Sequence, residues 1–237
     1  MPRSYSSDKS LMGVLWLRGL NLLSKWYNQL LCLFLGKKGQ VLVFHEVSET
    51  FSNDTSCKIR LSTFNRIIER IESKKRYVGI EALIDGRDNN VVVVTFDDVP
   101  HSFYTEAYPI LKEKQIPFTL FVAKKYVGVE GFLSADEIKI LDKDPLCTIG
   151  AHTCNHARLR NEKESKQDIE DSKRFLESLL GHEIKYLAYP YGRYDSVSRK
   201  NRNEAVAAGF KAAFSTIPTA VPVRFNRWFV PRIELIQ

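Results

Sequence analysis

The chain has 237 residues, 44% of them hydrophobic and 27% charged, a balance that suits one compact domain with a small appendage rather than a disordered chain. Its formal net charge of +7 favours anionic partners such as acidic glycans, phosphate-bearing lipids or a membrane surface; with no zinc-finger, RRM-like or basic-zipper pattern, nucleic acid is not expected. The four cysteines, Cys32, Cys57, Cys147 and Cys154, form no CxxC pair and no disulfide-framework spacing, which points to a reduced, cytoplasmic chain.

Leu11 to Leu35 is strongly apolar, but Arg18, Asn21, Lys25, Asn28 and Gln29 interrupt it at helical spacing and form one polar stripe. A spanning helix would bury Arg18 and Lys25 in hydrocarbon at about 2.5 kcal/mol or more each. A cleaved signal peptide needs an uninterrupted apolar core and a small-residue cleavage site, and neither is clear. The stretch reads as an amphipathic helix lying on a membrane, on a partner or on its own domain. Peripheral contact of residues 11–35 with the inner face of the membrane follows as an expectation. Gly36-Lys37-Lys38-Gly39 reads as a linker, so residues 1–39 form an extension and residues 40–237 the main domain.

Val41 to His45 is a short strand of buried type, and residues 46–60 read as loop. Ser62 is a candidate N-cap for a helix through about Lys75, with Phe64, Ile67, Ile68 and Ile71 on one face. Asp85 to Asn90 reads as a turn. Val91 to Phe96 is a β-branched run, as expected of a strand buried on both faces. A helix near Ser102–Glu113 and a strand over Phe118–Val122 follow. Ser134-Ala-Asp-Glu137 is a capping box that opens the next helix. Then come a strand at Cys147–Gly150 and an amphipathic helix at Glu162–Leu180 closed by Gly181. The last elements are a strand at Tyr186–Tyr189, a helix at Val197–Ala208 and a strand at Phe210–Phe214. Strand and helix alternate, so a parallel α/β sheet or barrel is expected.

Three segments place polar groups just beyond predicted strands, the edge at which α/β folds build sites. Thr95-Phe96-Asp97-Asp98 sets two carboxylates after a buried strand; such a pair is more often a turn or helix cap. His152-Thr153-Cys154-Asn155-His156 places two imidazoles four residues apart, on one side of a helical turn, where they can grip one metal ion. Imidazole with carboxylate oxygen suits Zn2+ or another first-row divalent ion, Co2+, Ni2+, Mn2+ or Fe2+. Cys154 reads as a small buried hydrophobe. Pro190-Tyr191-Gly192 is a rigid turn that could present backbone N–H groups to substrate.

In this order, TFDD, HTCNH and YPYG resemble the polysaccharide deacetylases, the carbohydrate esterase family that includes chitin and peptidoglycan deacetylases. The resemblance covers roughly residues 41–235 and implies an irregular (β/α) barrel that removes N-acetyl groups from a glycan through a metal-activated water. Residue by residue, it implies Asp97 as general base, Asp98, His152 and His156 as ligands of one divalent metal, and Tyr191 as the residue whose backbone N–H faces the oxyanion. Three positions depart from the family pattern: Val99-Pro100 follows TFDD in place of glycine, Ala188 stands where many members carry an arginine that supports the base, and no histidine follows His182, so the late Leu-x-His acid is absent. Phe229 to Ile233 resembles the ending of the subgroup related to exopolysaccharide poly-N-acetylglucosamine deacetylases.

Two substitutes are expected. Arg232, in an apolar strand-end context, replaces the missing arginine beside Asp97, with Arg227 as the alternative. His45 replaces the missing acid, because Val41–His45 has the character of the absent late strand and the first and last strands of a closed barrel are neighbours. His101 is its competitor, and His182 reads as a cap or surface residue. The rival readings are a glycan-binding domain that has lost turnover, and a deacetylase of a non-polymeric sugar or another amide.

Overall fold

The computed structural model describes residues 11–49 and 57–235. In chain order its elements are α1 (Leu11–Leu35), β1 (Lys37–Phe44), β2 (Glu46–Val47), β3 (Lys58–Ile59), α2 (Leu61–Glu72), α3 (Ile80–Asp85), β4 (Val91–Asp97), a π-helical turn (Phe103–Ala107) continuing into α4 (Tyr108–Glu113), β5 (Phe118–Val122), α5 (Ala135–Asp142), β6 (Cys147–Ala151), α6 (Ser165–Leu180), β7 (Tyr186–Ala188), α7 (Arg199–Ala207), β8 (Ala212–Phe214), β9 (Val221–Pro222) and β10 (Ile233–Glu234). The main sheet runs β10-β1-β4-β5-β6-β7-β8, and every neighbouring pair along it is parallel. β9 pairs antiparallel with β1. A parallel bridge joins Phe214 to Val230, while Leu42 pairs with Ile233. The closing segment therefore touches the last long-range strand on one side and the first on the other, and the sheet curls into the expected irregular barrel.

Alternation along the strands explains the two halves of the core. Val92, Val94 and Phe96 of β4 point to the helical layer, where they pack with Leu42, Phe44, Phe64, Ile68 and Leu111. Val91 and Val93 point into the curl beside Val41, Phe121, Tyr186 and Phe214. All seven residues of β4 are buried. The inward row 91, 93, 95, 97 thus ends on Asp97, and the inward row of β1 runs through Val41 and Val43 to His45 just beyond the strand.

Helix ends follow local chemistry where a cap is available. Ser134 opens α5 with both hydrogen bonds of a capping box to Glu137, and Gly181 closes α6 in the left-handed conformation. Ser198 starts α7 through a second capping box with Asn201. Ser62 does not cap α2: the helix begins at Leu61, and the Ser62 N–H donates instead to Glu49 Oε1 at 2.8 Å.

The linker reading of residues 36–39 is corrected. β1 starts at Lys37, so a domain boundary after residue 39 would cut a strand. Lys38 is buried and its Nζ donates to the Gly86 carbonyl. At Gly39 a side chain has no room, since a Cβ would lie 2.6 Å from the Val91 carbonyl oxygen. Backbone contact between β1 and β4, not flexibility, is the reason for that glycine. The expected loop over 46–60 holds the paired strands β2 and β3, and its residues 50–56 lie outside the described residues. α3 occupies sequence that carries no cap, and the turn begins after it.

Candidate active site

The inward strand rows converge at the carboxyl ends of β1, β4, β6 and β7. Asp97 is 2% exposed and accepts two parallel hydrogen bonds from Arg232, Nη1 to Oδ1 and Nη2 to Oδ2, both 2.7 Å. Arg232 is 0% exposed; its Nε donates to the Ser215 carbonyl at 3.0 Å, Nη1 also reaches Thr95 Oγ1 at 3.3 Å, and the guanidinium lies 5.3 Å from the Phe121 ring centre. Burial alone would raise the Asp97 pKa, but Arg232, with smaller help from His152 and His45, overcomes it and holds the carboxyl well below the usual carboxylate range. Of the two candidate arginines, Arg232 takes the position beside Asp97. Arg227 pairs at the surface with Asp85 at 2.8 Å.

Asp98 leaves the strand at φ +59°, followed by Val99 at +51°. This left-handed pair turns the second carboxylate away from Arg232 and toward the histidines. Asp98 Oδ1 stands 3.2 Å from His156 Nε2 and 3.7 Å from His152 Nε2. Burial and the neighbouring Asp97 push the Asp98 carboxyl up to about 7. His152 is pulled down to about 4 mainly by burial, and His156 to about 3 by burial and then by His152. Three groups that each resist carrying their own charge or proton face one point.

The two histidines do not share a helical turn. His152 directly follows β6, and Thr153 (φ +64°) and His156 (φ +50°) reverse the chain between them. The His152 Nδ1–H donates to the Ala188 carbonyl at 2.8 Å. That bond leaves Nε2 as the lone-pair nitrogen of the neutral ring, aimed at Asp98. Asp168 on α6 braces the loop, accepting at 3.0 Å from each of Cys154 N–H, Asn155 N–H and Asn155 Nδ2. In the sequence Asp168 shows only as an acidic residue on the apolar side of an amphipathic helix. Cys154 is half-buried rather than fully buried, and its thiol pKa is pushed up to about 11 by burial, so it stays protonated.

The residues fit a divalent ion. Asp98, His152 and His156 each offer one ligand atom, and these lie within 4.8 Å of one another. Asp98 Oδ1 is buried and makes no hydrogen bond. One carboxylate and two imidazoles form a donor set that suits Zn2+ and its first-row neighbours, and this set leaves further coordination positions open.

On the facing side, of the Pro190-Tyr191-Gly192 turn only Tyr191 lines the cavity, while Pro190 and Gly192 are buried behind it. Tyr191 has φ +61° and Gly192 φ +57°. A Cβ on Gly192 would lie 2.5 Å from the Thr216 backbone nitrogen, so only glycine fits the approach. Thr216 fixes the turn, its Oγ1–H donating to the Tyr191 carbonyl at 2.6 Å and its N–H to the Gly192 carbonyl at 2.9 Å. The exposed Tyr191 ring lies 5.2 Å from the His156 ring, and the Arg158 guanidinium lies 4.2 Å from its centre. Arg158 in turn pairs with Asp195 at 3.1 Å.

His45 lines the same cavity, with Glu234 and Cys57 beside it. Its Nδ1 is buried without a hydrogen-bond partner. Burial lowers its pKa, while Asp97 and Glu234 oppose that shift. His101 also borders the cavity, but its Nε2 is held at 2.9 Å by Glu137, the capping residue of α5. His182 lies on the surface, bonded to Asp142 at 2.9 Å. The cavity has a volume of about 950 Å³ and also meets Asp97, Asp98, His152, His156 and Tyr191. It therefore unites every catalytic and metal-site candidate except Arg232, which lies buried behind Asp97.

Comparison with known proteins is consistent with this arrangement. A family model described as polysaccharide deacetylase matches residues 85–213. The poly-beta-1,6-N-acetyl-D-glucosamine N-deacetylase of Staphylococcus aureus (strain MRSA252) is 32% identical over 161 residues, covering 60% of this chain and 53% of that protein. The chain thus spans about half the length of the curated relatives it matches. Among solved structures, IcaB from Ammonifex degensii superposes with a TM-score of 0.71 at 26% identity, covering 84% of this chain and 92% of that one. The Streptococcus pyogenes deacetylase PplD in complex with acetate gives a TM-score of 0.74 at 22% identity, over 83% and 92% of the two chains, a likeness of fold. A model match over more than half the chain, spanning both the double-aspartate strand and the two-histidine loop, settles descent: the chain belongs to the polysaccharide deacetylase family.

Proposed function

We propose that this protein is a metal-dependent hydrolase that removes N-acetyl groups from a glucosamine-containing glycan. The observation that carries the reading is a buried carboxylate, Asp97, held in two parallel bonds by buried Arg232 beside a separate three-donor cluster on one cavity. A base and a metal centre held by adjacent residues, yet given opposite electrostatic settings, is the division of labour that amide hydrolysis needs. The name of the Staphylococcus aureus relative makes β-1,6-linked N-acetylglucosamine the first substrate to test.

A divalent ion held by Asp98, His152 and His156 would supply Lewis acidity and a lowered pKa for bound water. Asp97 accepts the proton of the attacking water, and Arg232 keeps that carboxylate ionised and its oxygens oriented. The backbone N–H of Tyr191, fixed through Thr216, serves the developing oxyanion. His45 delivers a proton to the leaving amine, with Glu234 favouring its charged form. Burial opposes that charge, so the protonated ring is the minor form at neutral pH. The resident ion is proposed as Zn2+.

The test is acetate release from N-acetylated oligosaccharides of β-1,6- and β-1,4-linked glucosamine, chitin and peptidoglycan fragments, with metal analysis of the same sample. Acetate release that is lost with the metal in an Asp98→Ala/His152→Ala double variant is the expected result. Binding of the same oligosaccharides without acetate release, in a fully metal-loaded sample, would instead favour a glycan-binding domain.

A further inference from the structure

α1 meets its own domain with the side that carries its small and polar residues. Asn21 Oδ1 accepts from the Tyr194 N–H at 2.8 Å, the Tyr194 hydroxyl reaches Ser24 Oγ at 3.5 Å, and Cys32 Sγ lies 3.7 Å from the Ala220 carbonyl. The apolar side faces outward. Trp16 is 66% exposed, Trp26 63%, Leu33 75% and Phe34 78%, and Leu15, Leu22, Leu23, Tyr27 and Leu30 are each at least half exposed. At about 100° per residue these nine side chains span an arc of roughly 140°, and Arg18 and Lys25 lie along one edge of it. An amphipathic helix ordinarily buries such an arc against its own core. Here its polar side does the packing, through bonds that fix the helix to Tyr194, and the described residues leave the apolar arc uncovered.

Two observations select the occupant. No acidic residue occurs in the sequence between Asp8 and Glu46, whereas Arg18, Lys25 and Lys37 fall within that span. Two copies meeting through this face would bring cationic edges together with no carboxylate on the helix to pair them. The arc is also rich in tryptophan and tyrosine, side chains that favour the boundary between headgroups and hydrocarbon. Among the described residues no helix is long and apolar enough to cross a membrane. We propose that the outer face of α1 docks this protein, lying flat, on an anionic lipid surface.

The bond from Asn21 to Tyr194 gives the docking helix a fixed place beside the site. Tyr194 sits between Arg193 and Asp195, both of which line the cavity. Docking on α1 therefore holds the cavity wall in a set relation to the lipid surface.

The experiment uses the full chain and vesicles of phosphatidylcholine alone or mixed with phosphatidylglycerol, and it needs no turnover, so its outcome is independent of the proposed deacetylase activity. Co-sedimentation should rise with the phosphatidylglycerol fraction and fall with salt. Trp16 and Trp26 are two of the three tryptophans, so docking should move tryptophan emission to the blue. A Leu30→Glu/Phe34→Glu double variant should bind at least about 10-fold more weakly with an unchanged melting temperature, because both side chains point away from the domain. Failure to bind either vesicle overturns the proposal. Equal binding to both vesicles overturns the choice of an anionic surface. A concentration-dependent dimer in sedimentation velocity, abolished in the double variant while vesicle binding is absent, would assign the face to a second copy.

Discussion

Asp97 and Asp98 are neighbours in sequence and opposites in setting, because one side chain ends the inward row of β4 and the other leaves it through a left-handed turn. Asp97→Asn is nearly isosteric and cannot accept a proton. Acetate release should fall about 10²-fold or more while metal content is kept; if Asp97→Asn loses the metal and Asp98→Asn keeps it, the two roles are reversed. Arg232→Gln leaves a buried carboxylate without its cation, at a stability cost of about 3–5 kcal/mol by breaking a buried pair. The sign of the accompanying pH effect follows from the bonds. Arg232 depresses the Asp97 pKa, so the pair stabilises the fold above the unfolded carboxyl pKa and is lost as pH falls below it. Without Arg232, burial dominates and Asp97 titrates higher. The acid limb of the rate profile should then move upward in the variant, as read from kcat/KM against pH. His45 makes the opposite test. Glu234 raises the His45 pKa, so Glu234→Gln should lower it and move the basic limb to lower pH. His45→Ala should keep metal and fold but lose about 10²-fold in turnover; full activity there, with His101→Ala inactive, transfers the acid role to His101.

At the scale of elements, β1 carries more than its length suggests. It lies between β10 and β4, also pairs with β9, and begins at Lys37. Removal of residues 1–35 should therefore leave a folded domain, whereas removal of residues 1–38 takes away the buried Lys38 and the Lys37–Pro222 pairing. Thermal melts followed by circular dichroism should show the second truncation markedly destabilised and the first only mildly; equal melting would mean that β1 needs nothing before Gly39. Gly39→Ala tests the same strand from within. Its Cβ would meet the Val91 carbonyl oxygen at 2.6 Å, and overpacking of this kind costs about 1–3 kcal/mol, readable as a lower denaturant midpoint. The two-histidine loop depends on α6 in a similar way. Asp168→Asn should weaken metal retention without touching a ligand, because its carboxylate accepts all three N–H bonds that shape residues 154–155.

For the molecule as a whole, the site is a seam. The segment that ends in β10 bridges β8 and pairs with β1, and Arg232 within it reaches across to Asp97. Closing the sheet and fixing the Asp97 carboxylate are thus one event. An ion bound by the folded cluster and not by the unfolded chain should raise stability by about 2.7 kcal/mol at 100-fold excess over its Kd. Melting temperature should accordingly fall on chelation and recover with Zn2+. An Asp98→Ala/His152→Ala protein should show no such response.

The local chemistry was readable directly. The β4 run, the Ser134 capping box, the α6 terminus at Gly181 and the ordered TFDD, HTCNH and YPYG segments all express periodicity, caps and turns that act within a few residues. Those segments were enough to identify the family and its barrel. Lysine and glycine in a short run make residues 36–39 look like a flexible joint; only β1 packed against β4 makes Gly39 a close contact. The spacing of the two histidines allows a helical turn, whereas positive φ at Thr153 and His156 brings them together in a loop. Thr216 carries no local signature, Asp168 shows only as an acidic residue on the apolar side of α6, and the polar stripe of α1 marks an amphipathic helix without saying which side meets the domain. Sequence by itself determined which residue types arrive at each strand end, since strand alternation and turn chemistry are short-range. Tertiary structure alone decided which of them meet, because Arg232 and Asp97 stand 135 residues apart and only the register of a curled parallel sheet brings them to 2.7 Å.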